Sequence, residues 1–265
     1  MSNLVNRVTH KFEVKKRNAL AKKIKSFTAN YIQQNGLAAL LDDANKKSAS
    51  TGTNDSDYVA LHSYVRHYKV KYILECGTGR STWVLAHALQ QNHKQFGIEG
   101  KIISMESVSQ WYEEASRIFP EDLKQYAEVH YSPAIPYQYS IIRGTAYSSV
   151  PAYPYDLIFV DGPELTIKQD EYSYETANMD FIRYVLTTEK PVTAIVDTRL
   201  RSCLAYGMTF GKEKVKFLRP WMLGIVENVS KKDMLLHIDG QPVWHTTKQA
   251  VQVTVDVPSW LKNEL

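Results

Sequence analysis

The chain has 265 residues, a formal net charge of +4, 44% hydrophobic residues and 23% charged residues. This composition is that of an ordinary folded protein and excludes a disordered or fibrous chain. No apolar run reaches the ~20 residues that a membrane-spanning helix needs. The N-terminus lacks a secretory signal pattern, and two cysteines are too few for a disulfide framework, so we expect a cytoplasmic protein.

The first 30 residues are strongly basic. Within residues 1–30, eight lysines and arginines stand against the single acid Glu13, which gives a local charge of +7, and the rest of the chain is slightly acidic. Apolar residues recur partly at helical spacing here, so we predict an amphipathic helix with one basic face. We expect it to pack on the main domain or on a second copy of the chain in a homo-oligomer. A polyanion-binding arm is the alternative.

A polar segment follows at residues 42–57, "DDANKKSASTGTNDSD", and it has no large apolar residue. We predict a loop or linker that lies near the functional cleft and is mobile without ligand. After it, apolar residues recur at three- and four-residue intervals from Tyr58 to Tyr68, which indicates a short amphipathic helix. We therefore divide the chain into a helical N-terminal extension with a polar loop, residues 1–57, and a main domain, residues 58–265.

Strand and helix patterns alternate from residue 70 to residue 198. The predicted strands are "VKYILEC", "KIISMES", "AEVHYSP", "YDLIFVDGP" and "PVTAIVDT". Between them, apolar residues at helical spacing predict helices over residues 84–89, 108–118 and 174–185. Strands that alternate with helices pair in parallel through right-handed crossovers. The sequence therefore predicts an α/β, doubly wound sheet with helices on both faces.

The last part of the chain has a different pattern. The segments "KVKFLRPWMLGIVENV", "DMLLHID" and "QAVQVTVDV" are typical of strands joined by short turns. We expect them to form an antiparallel edge of the sheet.

The segment "LECGTGRST", residues 74–82, joins the first strand of the domain to a helix. Gly77 and Gly79 allow a tight turn and let the backbone approach a ligand with no Cβ in the way. The helix that follows can direct free N–H groups at the same ligand. In a doubly wound sheet, ligands bind at the carboxyl ends of the strands. The glycine pair alone is a weak signal, because many α/β proteins need glycine only to turn.

Acidic residues end two further strands. Glu106 ends the second strand, from which a carboxylate can accept both hydroxyls of a ribose, although an acid there can also serve as a helix N-cap. Asp161 ends the apolar strand "DLIFV". Together with Glu75, these residues would place three acids at neighbouring strand ends, which favours a nucleoside site.

These motifs resemble a known family. "ILECGTGRST", "IISMES" and "YDLIFVDGP" together look like the first, second and fourth strand motifs of class I S-adenosylmethionine-dependent methyltransferases, in particular O-methyltransferases. The resemblance covers residues 58–198 well, and it implies a mostly parallel seven-stranded sheet whose last hairpin is antiparallel.

The resemblance also implies roles for individual residues. Glu75 would interact with the methionine end of the cofactor, Glu106 would hold the ribose, and Ser132 and Pro133 would border the adenine. The full cofactor-binding set implied is Glu75, Gly77, Thr78, Gly79, Arg80, Ser81, Glu106, Ser107, Ser132, Pro133 and Asp161.

The chain departs from the commonest form of the first motif, because Arg80, Ser81 and Thr82 stand where a third glycine is frequent. This departure weakens a dinucleotide-binding interpretation most, since a pyrophosphate needs the close helix approach that the third glycine gives. Glu75 would also repel a diphosphate, whereas S-adenosylmethionine carries an ammonium and a sulfonium. An NAD-dependent oxidoreductase and a non-catalytic polyanion-binding module stay open as alternatives.

Two routes could remove a proton from an acceptor hydroxyl. In the metal-dependent O-methyltransferases that the chain is similar to, residues at the positions of Asp161 and Asp197 supply carboxylates to Mg²⁺, which would lower the hydroxyl pKa. Thr198 stands where another strong ligand would be expected. The other route is a general base, for which His130 and His237 are candidates, although a structural role is expected for each.

The sequence does not identify the methyl acceptor. We expect a small molecule with a hydroxyl group, with Asp161 nearest the chemistry, and we expect neither a nucleic acid partner nor a membrane span. Tyrosines between residues 131 and 155, with Trp221, could form an aromatic wall or belong to the core. The arginines that could bind an acidic acceptor or be solvated at the surface are Arg199, Arg201 and Arg219.

Overall fold

An eight-stranded sheet lies at the centre of the computed structural model, which describes residues 2–48, 54–163, 166–169, 172–235 and 252–265. The strands of the described chain are β1 (Tyr72–Cys76), β2 (Lys101–Glu106), β3 (Ala127–Tyr131), β4 (Ala134–Tyr139), β5 (Ile142–Tyr147), β6 (Leu157–Val160), β7 (Thr166–Gln169), β8 (Tyr172–Glu175), β9 (Ala177–Asn178), β10 (Val192–Asp197), β11 (Val215–Leu218), β12 (Leu223–Val229) and β13 (Gln252–Thr254). The central sheet has the order β13-β11-β12-β10-β6-β1-β2-β3. Only β12 among these strands runs antiparallel to its neighbours.

Helices cover both faces of this sheet, as the alternating strand and helix pattern predicts. They are α1 (Ser2–Gln34), α2 (Leu37–Lys47), α3 (Asp55–Tyr68), α4 (Arg80–Phe96), α5 (Ser109–Ile118), α6 (Asp180–Thr187) and α7 (Leu200–Phe210). On β1, Leu74 packs in the cluster that contains α6 and α7, and the adjacent Ile73 packs in the cluster that contains α3 and α4. Because successive strand residues point to opposite faces, each strand supplies both cores. The doubly wound α/β fold is confirmed.

The predicted seven-stranded order is present, with one more strand at its edge. The hairpin of β11 and β12 is antiparallel as expected, but residues 252–254 pair in parallel with β11 and so extend the sheet. Of the predicted strand "DMLLHID", Asp233 lies instead in a short 3₁₀ helix, Lys231–Asp233. Residues 236–239 of that segment lie outside the described residues.

The region between β3 and α6 departs from the prediction. The helix predicted over residues 174–185 begins only at Asp180, because residues 166–169 and 172–175 form an antiparallel hairpin and β9 precedes the helix. Strands β4 and β5 form a second hairpin that pairs with β9. A Cβ at Gly144 would lie 2.1 Å from the carbonyl oxygen of Ala177, so this pairing depends on glycine. Such a long-range contact leaves no local periodicity in the sequence.

The prediction of a loop over residues 42–57 is wrong at both ends, because residues 42–47 belong to α2 and residues 55–57 belong to α3. Leu37, Leu41 and Ala44 form the buried face of α2, and residues 42–47 continue that helix. Its polar residues form the solvent face, where Lys46 pairs with Asp42 at 2.5 Å. Residues 49–53 lie outside the described residues.

The N-terminal helices pack against the main sheet domain through an apolar cluster that joins α1, α2, α3 and Val84 of α4. The basic side chains of α1 that the structure describes are mostly exposed, as at Lys15, Lys22 and Lys25. The boundary at residue 57 between an extension and a main domain stays a prediction. Among the helices of the described chain, none is long and apolar enough to span a membrane.

Candidate functional site

Four acidic side chains lie at the carboxyl edge of neighbouring parallel strands. Cys76 of β1 pairs with Met105 of β2 and with Val160 of β6, and Val160 in turn pairs with Val196 of β10. The next residues along β2, β6 and β10 are the acids Glu106, Asp161 and Asp197, while Glu75 precedes Cys76. The strand pairing therefore brings together the acids that the sequence predicts at this edge, which we call the acidic rim.

The glycine turn after β1 packs directly against the segment after β6. Gly77 has a φ of 103°, and a Cβ on it would lie 3.1 Å from the backbone of Asp161 and Gly162. Gly79 has a φ of 155° and a ψ of −144°, a combination that is essentially restricted to glycine. The two glycines are thus required by backbone geometry, and for Gly77 also by close packing within the rim.

Glu75 is fully buried beneath the turn. Its Oε2 accepts hydrogen bonds from the hydroxyls of Thr82 and Ser104, both at 2.6 Å. Its Oε1 has no hydrogen-bond partner among the residues that the structure describes. Burial raises the pKa of Glu75 to about 7, although neighbouring hydroxyl groups oppose the shift. A half-satisfied buried carboxylate is costly unless a ligand or a proton meets it.

Glu106 closes β2 at the rim and is almost fully buried. Its Oε1 accepts the backbone N–H groups of Ser107 at 2.7 Å and Val108 at 2.9 Å. These contacts hold the turn that precedes α5, whose N-cap position is Val108 and carries no side-chain cap, so Glu106 does not act as the helix N-cap. The carboxylate is thereby fixed at the strand end from which a ribose could be bound.

The other residues of the predicted cofactor set surround these acids. Thr78 Oγ1 lies 3.2 Å from the hydroxyl of Thr82, and Ser81 is buried in the first turn of α4. Arg80 donates a hydrogen bond to Asn45, so α2 lies beside the glycine turn. That the whole segment of residues 42–57 lies near a ligand cleft stays a prediction.

Ser132 and Pro133 close the end of β3 next to Glu106. The Ser132 N–H donates to the Glu106 carbonyl at 2.8 Å, and the Ser132 hydroxyl lies 3.0 Å from that of Ser148. Pro133 accepts the N–H of Ser148 at 2.9 Å. Because the Ser132 hydroxyl is already used inside the fold, any contact with an adenine would come mainly from the backbone and from apolar atoms.

Asp161 and Asp197 form a pair, and Arg199 contacts it. Arg199 Nε lies 3.8 Å from Asp161 Oδ1. Partial burial and the negative charge of Asp197 raise the pKa of Asp161, while the Arg199 guanidinium opposes the shift. Two adjacent carboxylates disfavour double ionisation, so one of the pair retains a proton more readily than an isolated aspartate.

Asp57 is an acidic residue of this region that the sequence analysis places only at the end of the polar segment, residues 42–57. Its Oδ2 accepts the Asn54 N–H at 2.9 Å, which is the expected capping contact. Its Oδ1 is buried and has no hydrogen-bond partner within the described ranges. Burial, with a smaller contribution from the charge of Asp197, raises the pKa of Asp57 to about 7. No sequence signal connects residue 57 with residue 197, since only the packing of α3 brings them near each other.

Several predicted contributors lie elsewhere. His130 is on β3, where its Nε2 lies 3.2 Å from Glu128, and His237 is outside the described residues. Trp221 is buried in the core and forms no exposed wall, and Arg201 and Arg219 are exposed.

The sequence analysis does not predict the exposed apolar residues that lie near Asp197 along the chain. Leu200 and Met222 are exposed, and the Met222 carbonyl accepts the Thr198 N–H at 3.1 Å. Two exposed apolar side chains therefore belong to the segments that meet directly after Asp197.

The acid pair lacks a complete set of metal ligands. Within the part of the chain that the structure describes, no group of three or more His, Cys, Asp or Glu side chains is arranged to hold a metal ion. Asp161 and Asp197 supply two carboxylates, and the nearby cationic group of Arg199 is a poor neighbour for a divalent ion. The residues at this place do not fit a Mg²⁺ ion.

Comparisons with known proteins give matches among solved structures alone, because no family model and no curated protein matches the chain. A candidate O-methyltransferase from Klebsiella pneumoniae is 19% identical over 61% of this chain, with a TM-score of 0.39, and the match spans 64% of that protein, less than two thirds of its length. The O-methyltransferase TomG from Streptomyces achromogenes, in complex with SAM, is 17% identical over 68% of this chain and 77% of its own, with a TM-score of 0.41.

A third structure is the SAH-bound methyltransferase PaMTH1 from Podospora anserina. It is 15% identical over 66% of this chain and 67% of its own, with a TM-score of 0.42. At this level of sequence identity the solved structures do not assign a function to this chain. The function is therefore argued from the residues of the acidic rim.

Proposed function

We propose that the chain is a class I S-adenosylmethionine-dependent methyltransferase that methylates a hydroxyl group of a small molecule. The observation that carries the proposal is the acidic rim: Glu75, Glu106 and Asp161 at the ends of β1, β2 and β6, around a glycine turn that begins α4. A site of this kind combines fixed negative charge with the free N–H groups of a helix N-terminus.

The chemistry of the donor set fits S-adenosylmethionine. The unpartnered buried oxygen of Glu75 would favour the positive charges of the methionine end, and the N-terminus of α4 would favour its carboxylate. Glu106 would accept the ribose hydroxyls, and Ser132 and Pro133 would border the adenine. Gly77, Thr78, Gly79, Arg80, Ser81 and Ser107 would line the remaining path.

The same donor set disfavours a dinucleotide. A pyrophosphate beside Glu75 would meet a carboxylate in a buried environment, where charge repulsion is strong. The first turn of α4 also carries the buried side chains of Ser81 and Thr82, which leave no glycine for a close approach of the helix.

Asp161 is the residue that we assign to proton removal. Bound S-adenosylmethionine would supply the methyl group, and the chain would align the acceptor hydroxyl and accept its proton. The raised pKa of Asp161 brings it closer to neutrality than that of an ordinary aspartate, which suits a general base. The exposed side chains of Leu200 and Met222 beside Asp197 would contact the apolar part of the acceptor.

Calorimetric titration of the full chain with S-adenosylmethionine, its demethylated product and NADH tests the proposal. We expect the first two to bind and NADH not to bind. Transfer of labelled methyl to a panel of small hydroxyl compounds then tests the acceptor class. Binding of NADH alone would favour an oxidoreductase, and absence of binding by all three would refute the cofactor site.

The homo-oligomer and the cytoplasmic location stay predictions. The polyanion-binding alternative predicts binding to nucleic acid that weakens steeply with salt. The proposed methyl transfer does not require the chain to bind nucleic acid.

A further inference from the structure

We propose that Arg199 is a built-in cation of the acidic rim, and that Asp161 and Asp197 act in methyl transfer without a divalent metal ion. This inference concerns the site to which we assign the proposed function, and the part that concerns activity rests on that function. The part that concerns metal binding stands on the contacts of Arg199 alone.

The guanidinium of Arg199 is held inside the rim. Its side chain is 9% exposed. Nη1 donates a hydrogen bond to the Pro163 carbonyl at 2.7 Å, and Nη2 donates to the Asp161 carbonyl. Nε has no hydrogen-bond partner in the described parts of the chain, and Asp161 Oδ1 lies 3.8 Å from it. Arg199 is therefore a fixed and buried charge, not a solvated surface residue.

The backbone around Arg199 fixes this orientation. Thr198 has a φ of 34°, and its N–H donates to the Met222 carbonyl at 3.1 Å. The Arg199 carbonyl accepts the Cys203 N–H at 3.2 Å, in the first turn of α7. The chain thus reverses direction immediately after Asp197 and turns the Arg199 side chain back under the end of β6.

A buried guanidinium needs negative charge nearby, and the rim supplies it. Removing an arginine from water is costly unless anionic or acceptor groups compensate. Asp161 and Asp197 provide the carboxylates at the ends of adjacent strands, and Asp161 Oδ1 lies 3.8 Å from Arg199 Nε. The two carboxylates therefore balance the positive charge of Arg199, which is part of the protein itself.

A divalent ion at the same place would be disfavoured for two reasons. Mg²⁺ requires near-octahedral oxygen ligands, and a fixed positive charge next to its carboxylate ligands repels it. Here the carboxylates already face a fixed positive charge, and Thr198 is the residue that follows Asp197 where a further acid or amide would be needed. Arg199 is a positioning residue in this arrangement, because it acts through Asp161 and the backbone at Pro163.

The experiment measures Mn²⁺ binding to the full-length chain by electron paramagnetic resonance of the free ion, with Mn²⁺ as the probe for Mg²⁺. The variants are Arg199→Met, which removes the charge and keeps the side-chain stem, and Arg199→Lys, which keeps the charge. Asp161→Asn, alone and combined with Arg199→Met, tests whether any bound ion sits at the acid pair. Circular dichroism checks that each variant folds.

We expect no saturable Mn²⁺ binding to the wild-type chain at millimolar ion, and none to Arg199→Lys. Arg199→Met should bind Mn²⁺ saturably, at least about tenfold more tightly than the lower limit that the measurement sets for the wild-type Kd, because one opposing charge has been removed, and the double variant should lose that gain. Saturable Mn²⁺ binding by the wild-type chain that Asp161→Asn abolishes would overturn the proposal, even if Arg199→Met does not fold.

Activity provides the second readout. If the chain transfers methyl groups, turnover should be unchanged by a chelator and by added Mg²⁺, whereas chelator-sensitive turnover restored by Mg²⁺ would contradict the inference. Calorimetry with S-adenosylmethionine is run in parallel. A chain that neither binds S-adenosylmethionine nor takes up Mn²⁺ would refute the proposed function and leave the inference about Arg199 supported.

Discussion

The hydroxyl of Thr82 donates a hydrogen bond to Glu75 Oε2 at 2.6 Å and accepts the Gly79 N–H at 3.1 Å. One side chain in the first turn of α4 thereby connects the end of β1 with the backbone of the glycine turn. The position of the turn depends on this buried contact as much as on the glycines.

Replacing Thr82 by Val removes both hydrogen bonds and keeps the shape of the side chain. We expect the free energy of unfolding to fall by about 1–3 kcal/mol, because a buried carboxylate loses a donor. The affinity for S-adenosylmethionine should also fall, since the turn would no longer be held. Thermal unfolding and calorimetry measure the two effects.

Thr209→Val is a matched control for this prediction. Thr209 is also fully buried, and its hydroxyl donates to the Ala205 carbonyl at 2.8 Å within α7. The control should lower stability and leave cofactor affinity unchanged. Equal loss of affinity in the two variants would mean that the effect of Thr82 is one of general stability.

Glu106→Ala should weaken binding of S-adenosylmethionine by about 1–3 kcal/mol, because the ribose hydroxyls would lose a charged acceptor. Calorimetry measures the affinity. Glu128→Ala on the neighbouring β3 removes an acid whose partners are Lys101 and His130, and it should have no effect on the affinity. Unchanged affinity in Glu106→Ala would remove Glu106 from the cofactor site and leave it as a residue that holds the turn before α5.

The buried acids of the chain should contribute a decline in stability as the pH rises from about 4.5 to about 7, whereas His62 and His87, whose pKa burial lowers, contribute in the opposite sense. Burial raises the pKa of Glu75, Asp57 and Asp180 to about 7, so the folded chain binds more protons than the unfolded chain in this range. The contribution of these acids to the free energy of unfolding therefore falls with rising pH until they are ionised in both states. For Glu75 alone, the decline amounts to about 3 kcal/mol.

Urea unfolding of Glu75→Gln at a series of pH values checks this prediction. The variant should show a shallower decline than the wild-type chain, because it lacks one of the titrating groups. Glu128 provides the control, since pairing with Lys101 lowers its pKa and Glu128→Gln should leave the decline in place. The same pH dependence of stability in Glu75→Gln and in the wild-type chain would contradict the raised pKa of Glu75.

The sequence predicts those parts of the site whose position is determined by the pattern of apolar strands. Glu75, Glu106 and Asp161 each end or nearly end a recognisable apolar strand, and parallel pairing brings such ends to one edge. The same reasoning predicts the doubly wound sheet and its antiparallel hairpin.

The parts that the sequence does not predict depend on contacts between distant segments. Arg199 turns inward because Thr198 adopts a positive φ and bonds to Met222, and neither fact has a local signature. The late start of α6 depends on Asn178, whose side chain accepts the Phe181 N–H at 3.2 Å and whose amide donates to the Gly162 carbonyl at 2.8 Å. Polar residues of this kind look like ordinary helix residues until the tertiary contacts are known.

The last prediction concerns Asp161 and Asp197, which lie nearest the proposed chemistry. Asp161→Asn should lower turnover by about 10²–10⁴-fold, because an amide cannot accept the proton of the acceptor hydroxyl. Affinity for S-adenosylmethionine should change little. Steady-state kinetics with calorimetry on the same preparation separates the two effects, and full activity in Asp161→Asn would exclude it as the base.

Asp197→Asn tests how the pair is coupled. A general base acts when it is ionised, so turnover of the wild-type chain should rise with pH through the raised pKa of Asp161. Removing the negative charge of Asp197 lowers that pKa, so the variant should keep activity and shift its pH–rate profile to lower pH. A profile at the same pH in both proteins would show that Asp197 does not influence the base, and equal losses of turnover in both variants, reversed by Mg²⁺, would return the pair to the role of metal ligands.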